Sequence, residues 1–263
     1  MNYTQRQIRN YLYRRRVLID GGGGGGSSDP DFASVTSLLA FDGADAATTD
    51  TDLSSYANEP TFVGNAQLDT AQFKFDTSSL YLDGASSCVS LPANANADFD
   101  IDTGEFTWES WVRFDGDPGT DWMCLFSIWD DAAYKKTIYA GLRANAFLVY
   151  VTENGNGTSN PVNAAWNPAG DTWYHVAVVR DQTGVGDDVR VYIDGVEIGS
   201  GSTGAAPNWF TPATDLRIGA YIYPTVLDDE FIGWFDQVRF TLGVCRYPSG
   251  TTFDVPTEAY PTS

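Results

Sequence analysis

The chain has 263 residues, with 15 Lys and Arg against 35 Asp and Glu, a formal net charge of −20. A body this acidic repels phosphate backbones, which excludes a nucleic-acid-binding domain. Aromatic residues make up 14% of the chain beside 26 glycines and 12 prolines, a composition that suits a sheet-rich globule and excludes disorder.

The first segment, residues 1–20, is unlike the rest. Residues 1–26 hold five arginines and one acid, a local charge of about +4 that leaves about −24 for the remainder. Ile8, Tyr11, Leu12 and Arg15 sit at helical spacing, so a short amphipathic helix is expected. An isolated helix of that length is marginal in water, so it orders against a partner surface. The expected anchor residues are Ile8, Tyr11, Leu12, Arg14, Arg15 and Arg16. Arginines interrupt the segment throughout, leaving no apolar core of a secretory signal. No apolar run approaches the roughly 18 residues of a membrane span, so membrane insertion is not expected.

Residues 21–30 follow as a tether: six consecutive glycines, two serines and Asp29-Pro30. With no side chains to pack, the glycine run spans on the order of 13 Å as a coil and about 20 Å extended. No Gly-Lys-Ser/Thr helix start follows it, which argues against a phosphate-binding loop.

From residue 31 to residue 263 the pattern is that of one all-β domain. Strands are expected at Leu38–Phe41, Gln72–Phe75, Ser79–Leu82, Cys88–Leu91, Phe106–Phe114, Met123–Trp129 and Ile138–Leu142. Others are expected at Phe147–Thr152, Trp173–Arg180, Val189–Ile193, Glu197–Gly199, Leu216–Ile218 and Gly233–Thr241. In the longest run Phe106, Trp108, Ser110, Val112 and Phe114 alternate with Thr107, Glu109, Trp111 and Arg113, which predicts one core face and one outer face. Asp194-Gly195 between Val191–Ile193 and Val196–Ile198 predicts a two-residue type I′ hairpin. About a dozen strands without a helix imply an antiparallel two-sheet sandwich. Cys88, Cys124 and Cys245 form neither a disulfide framework nor a Cys-x-x-Cys metal pair, and read as small buried residues.

The blocks Phe106–Phe114, Trp173–Arg180, Val191–Gly195 and Gly233–Phe240, with Leu38–Gly43 as a first strand, resemble in that order the laminin-G-like, concanavalin A-like jelly-roll domains. The ending Thr241–Tyr247 with Phe253, Pro256 and Pro261 resembles the bacteriophage versions of that domain. The resemblance implies an antiparallel jelly-roll sandwich on a virion surface structural protein of the capsid-decoration or head-fibre type, made in the host cytoplasm. Other virion proteins would be its partners through the arm, host surface glycans its ligands, and a homo-oligomer, a trimer for avidity, its state. A tail-fibre adhesin binding a host receptor is the alternative, and a sugar hydrolase on the same fold the other.

Enzymatic activity is not expected. Laminarinase-like relatives carry Glu-x-Asp-x-x-Glu on one strand, because retaining glycosidases hold two carboxyls about 5–5.5 Å apart. The chain lacks that motif; Asp228-Asp229-Glu230 sits in a turn, and the lone histidine, His175, has no nucleophile pattern around it and reads as structural. Asp98–Glu105 alternates oxygens but has Thr103 where an EF-hand needs Gly. A structural Ca²⁺ is instead assigned to Asp42 and Asp236, whose strands are expected to be adjacent. Trp108, Trp111, Trp173 and Trp234 read as packing. Trp122, Trp129, Trp209, Tyr221 and Tyr223, at loop or strand ends beside carboxylates and amides, are the candidate ligand-binding residues, since sugar C–H faces stack on rings.

Overall fold

The computed structural model describes residues 28–92, 98–102, 104–130, 135–152, 158–182, 188–203, 209, 214–248 and 252–263. The anchor residues Ile8, Tyr11, Leu12, Arg14, Arg15 and Arg16 and the glycine tether lie outside them. In chain order the strands are β1 (Val35–Leu39), β2 (Thr61–Val63), β3 (Gln67–Asp69), β4 (Ser79–Asp83), β5 (Cys88–Leu91), β6 (Phe106–Phe114), β7 (Trp122–Asp130), β8 (Lys135–Arg143) and β9 (Ala146–Val151). They continue as β10 (Ser159–Ala165), β11 (Trp173–Arg180), β12 (Val189–Ile193), β13 (Val196–Gly201), β14 (Leu216–Ile218), β15 (Tyr221–Ile222), β16 (Leu227–Asp228) and β17 (Ile232–Leu242).

Two sheets form a jelly-roll sandwich. The eight-stranded first sheet runs β13-β12-β11-β6-β17-β4-β3 with β1 on β17, and the nine-stranded second runs β10-β9-β8-β7-β14-β5-β2 with β15 and β16 beside β7. Their inner faces share one core, in which Trp108 of β6 stacks on Phe126 of β7 at 4.5 Å and Phe106 stacks on Phe240 at 5.8 Å. Asp194 and Gly195 both take positive φ, 48° and 77°, as the type I′ turn requires. Cys88, Cys124 and Cys245 are free and buried.

The alternation along β6 is as expected, yet the outer face of the first sheet is also buried. The C-terminal segment lies across it: Tyr247 stacks on Phe253 at 3.6 Å, and the pair packs on Ala177, Val179 and Tyr192. Tyr260 packs on Val35 and Leu38. Beneath this strap Glu109 takes Arg239 at 2.7 Å and accepts from the Tyr247 hydroxyl, while Asp29 pairs with Arg239 at 3.0 Å and Arg246 at 2.8 Å. His175 is fully buried, its Nε2 3.0 Å from the Tyr260 hydroxyl. The Asp29 N–H donates to the Ser263 carbonyl at 3.0 Å, so the start of the described chain and its last residue meet on this face.

Gln72–Phe75 is not a strand. Its apolar residues belong to a loop over the first sheet, where the Lys74 and Phe75 N–H groups donate to Asp236 and Phe75 meets Trp111 edge-on at 5.9 Å. Conversely β10 carries Pro161 and reads as polar, which a strand tolerates at the edge of a sheet, where it lies.

Candidate functional site

An aromatic patch covers the outer face of β7, β8 and β9 in the second sheet. Ile138, Ala140 and Leu142 point into the core, so period two turns Tyr139, Gly141 and Arg143 outward. The register sets Tyr139 opposite Tyr150 and Arg143 opposite Trp122. The short hairpin of β15 and β16 closes one end, with Ile222 bridged to Asp130 and the Cys124 N–H donating to the Asp229 carbonyl at 2.7 Å. Gly141 is required beneath it: a Cβ there would lie 2.4 Å from the Met123 carbonyl oxygen and 2.9 Å from the Tyr139 hydroxyl.

Three of the five expected ligand-binding residues, Trp129, Tyr221 and Tyr223, are in contact here, Trp129 being buried at 7% exposed. Trp122 stands at the far end of β7 and reaches them only through Arg143, Tyr150 and Tyr139. Tyr221 packs edge-on against Tyr139 at 5.1 Å and Trp129 at 6.4 Å, and stacks with Tyr223 at 6.1 Å. Trp122 stands at the start of β7 with the Arg143 guanidinium carbon 3.2 Å from its ring centroid. Trp122 and Tyr223 are half exposed, at 50% and 49%. Trp209 does not join them. It is 1% exposed and packs in the core between Phe106 at 5.8 Å and the Arg180 guanidinium at 4.5 Å, so its ring offers no free face.

Polar groups lie among the rings. The Tyr139 hydroxyl donates to Asp229 at 2.8 Å, Tyr221 to Asp228 at 3.4 Å, and Arg143 Nη1 to the Tyr150 hydroxyl at 3.0 Å. Trp129 Nε1 and Arg143 Nε are buried N–H donors without an acceptor among the described residues. Burial raises the Asp229 carboxyl above its ordinary value, Asp228 and Glu230 add to the rise, and the Tyr139 hydrogen bond and Arg143 oppose it. Tyr139, Arg143, Tyr150 and Asp229 were not singled out from the sequence; alternation along Ile138–Arg143 was the available signal.

The second feature is the carboxylate pair Asp42 and Asp236. β1 does pair with β17, Leu39 opposite Val238, and a bulge at Gln237 (φ 54°) interrupts β17 between Asp236 and Arg239. Asp236 is fully buried; one carboxylate oxygen accepts the Lys74 and Phe75 N–H groups at 2.7 and 3.0 Å, and the other, Oδ1, has no donor among the described residues. Burial pushes its pKa up to about 7, with the charges of Asp42 and Asp76 adding to the rise. Asp42 Oδ1 accepts from the Thr77 N–H at 3.0 Å. Among the described residues no three His, Cys, Asp or Glu side chains converge to hold a metal. A cation here would therefore complete its shell with backbone and water oxygens, which Ca²⁺ accepts.

Comparison with known proteins gives a consistent picture. A family model described as the concanavalin A-like lectin/glucanases superfamily matches residues 83–242, more than half of the chain. No curated protein matches it. Among solved structures, the binding domain of Paraclostridial Mosquitocidal Protein 1 superposes with a TM-score of 0.61 at 12% identity, over 82% of this chain and 50% of that one. The binding domain of Botulinum Neurotoxin DC, solved in complex with SialylT, gives 0.59 at 17% identity, over 80% of this chain and 48% of that one. Domain 4 of AbnA, a GH43 extracellular arabinanase from Geobacillus stearothermophilus solved with arabinotriose, gives 0.56 at 18% identity, over 80% of this chain and 93% of that one. The chain thus spans about half the length of the two toxin binding domains, and at these identities the likeness is one of fold.

Proposed function

The chain belongs to the concanavalin A-like lectin/glucanases superfamily, and from that premise we propose that it is a non-catalytic glycan-binding domain whose ligand lies on the aromatic patch of the second sheet. The observation that carries this reading is a row of side chains that runs from half-exposed Trp122 through Arg143, Tyr150, Tyr139 and Tyr221 to half-exposed Tyr223, with Asp229 hydrogen-bonded within it. Stacking on such rings with hydrogen bonds from the groups between them is how proteins hold sugars. The carboxylates of the patch, Asp228 at the end of β16 and Asp229 just after it, are consecutive residues, whereas a glycosidase sets two carboxyls across its scissile bond. The complexes of two fold neighbours, with SialylT and with arabinotriose, lend the reading support. A glycan microarray probed with the wild type and with Trp122→Ala/Tyr223→Ala tests it: binding is expected for the first and not for the second.

The finer reading is a domain displayed on a bacteriophage particle, held to other virion proteins by the basic arm, with a tail adhesin as the alternative position. It rests on the arm, the tether and the C-terminal ending of the sequence. Electron microscopy of the particle tests it, hundreds of copies meaning a capsid position and a few tens or fewer a tail.

A second reading concerns a cofactor. The buried Oδ1 of Asp236, donorless among the described residues and beside the charge of Asp42, favours a structural Ca²⁺, which would neutralise carboxylates that otherwise repel each other.

A further inference from the structure

The aromatic patch carries a charge pattern that narrows its ligand. Arg143 is the guanidinium of the patch; its flat face and Nη1 are committed, and its Nε is buried. Its carbon lies 3.2 Å from the centroid of Trp122 and 5.4 Å from that of Tyr150, Nη1 donates to the Tyr150 hydroxyl, and Nε is buried. A guanidinium flat on a ring and tied at one edge does not offer the two parallel N–H groups that grip a carboxylate. Near it stand carboxylates: Asp228 ends β16, Asp229 and Glu230 follow it, and Asp121 precedes Trp122. Asp229 already feels Arg143 on one side and Asp228 and Glu230 on the other. A body charge of about −24 adds a long-range field of the same sign.

Resting on the glycan-binding reading above, we propose that the patch takes an uncharged sugar and that Arg143 is a positioning residue, holding Trp122 as a one-faced platform. The inner face of the ring is covered by the guanidinium, and the outer face is where an apolar sugar face stacks. The cross-strand pairing of Trp122 with Arg143 fixes where the platform stands, so the ring does not lose rotamer freedom on binding. An acidic sugar brings a carboxylate against Asp228 and Asp229, while the two described cations of the patch are engaged with its rings, Arg143 over Trp122 and Lys136 over Trp129 at 5.5 Å.

The test is an array in which each neutral oligosaccharide stands beside its sialylated or uronate-capped counterpart, read at low and at physiological salt with the full chain. Binding confined to neutral members, with capped counterparts at least tenfold weaker and partly recovered at higher salt, is expected. Capped glycans that bind as well as their neutral partners, and are lost in Trp122→Ala, would overturn this inference and leave the glycan site standing. No binding by any member would overturn the site itself. The positioning role is read separately. Arg143→Ala should increase acrylamide quenching of tryptophan fluorescence by an amount that vanishes in Arg143→Ala/Trp122→Phe, and Arg143→Lys should restore much of the protection. Unchanged quenching in Arg143→Ala, in a variant that melts like the wild type, would remove that role.

Discussion

Glu109 and Arg239 face each other across β6 and β17 with 2.7 Å between carboxylate and guanidinium, on the outer face of the first sheet and shut away from water by the C-terminal strap. Burial alone would raise the Glu109 carboxyl, but Arg239, His175 and Arg246 overcome it and hold the group well below its ordinary 4.5. A carboxyl with a depressed folded value contributes stability that is present above 4.5 and is lost as pH falls below it. Glu109→Gln should therefore cost about 3–5 kcal/mol at neutral pH, because it leaves Arg239 short of its partner. In urea titrations the gap from wild type should narrow as pH falls below 4.5. A gap that stays constant down to pH 3 would show that the pair is not what holds the strap.

Asp236 has the opposite sign. Its folded pKa, raised to about 7, means that the metal-free protein loses stability as pH rises from the ordinary carboxylate value through 7. Melting temperature in chelator should fall between pH 5.5 and pH 8, and Asp236→Asn should flatten that fall. If Ca²⁺ is bound, adding it should raise the melting temperature more at pH 8 than at pH 5.5. A melting curve indifferent to both chelator and Ca²⁺ at pH 8 would contradict the cation reading.

Trp122 and Trp209 should separate binding from folding. Trp209→Ala removes a core ring that is 1% exposed and should cost about 3–5 kcal/mol. Trp122→Ala removes a ring that is 50% exposed and should change stability by less than about 1 kcal/mol while weakening sugar binding at least tenfold. Thermal melts and calorimetry on the two variants check both halves.

Gly141 tests the floor of the patch. Gly141→Ala pushes a methyl against the Met123 carbonyl and the Tyr139 hydroxyl, so it should cost about 1–3 kcal/mol and disturb the Tyr139 contact with Asp229. Loss of sugar binding in a variant that still melts cooperatively is the expected result.

The main lines of the fold were legible in the chain because period two and the Asp194-Gly195 turn are local signals. Phe106–Phe114 and Trp173–Arg180 are strands to the residue. Long-range packing carried no such signal. Nothing in Gln72–Phe75 announces that a carboxylate 161 residues away takes the Phe75 N–H. Nor does Glu109 announce that the strap will bury it, so a sheet expected to have one wet face has none at β6. The binding patch was half legible: rings at strand ends pointed to Trp122, Trp129, Tyr221 and Tyr223, of which Trp129 is buried. Arg143 and Asp229 matter through cross-strand register and a turn, which only the folded chain shows, and Trp209 looked like a loop residue until the core closed around it.

The central claim is that sugar is held on the aromatic patch bounded by Trp122 and Tyr223. Isothermal titration with the best neutral glycan from the array, on wild type and on Trp122→Ala/Tyr223→Ala, tests it most directly. Measurable binding by the wild type and none by a double variant of unchanged melting temperature is the predicted result; equal affinity in both would place the site elsewhere and contradict the account.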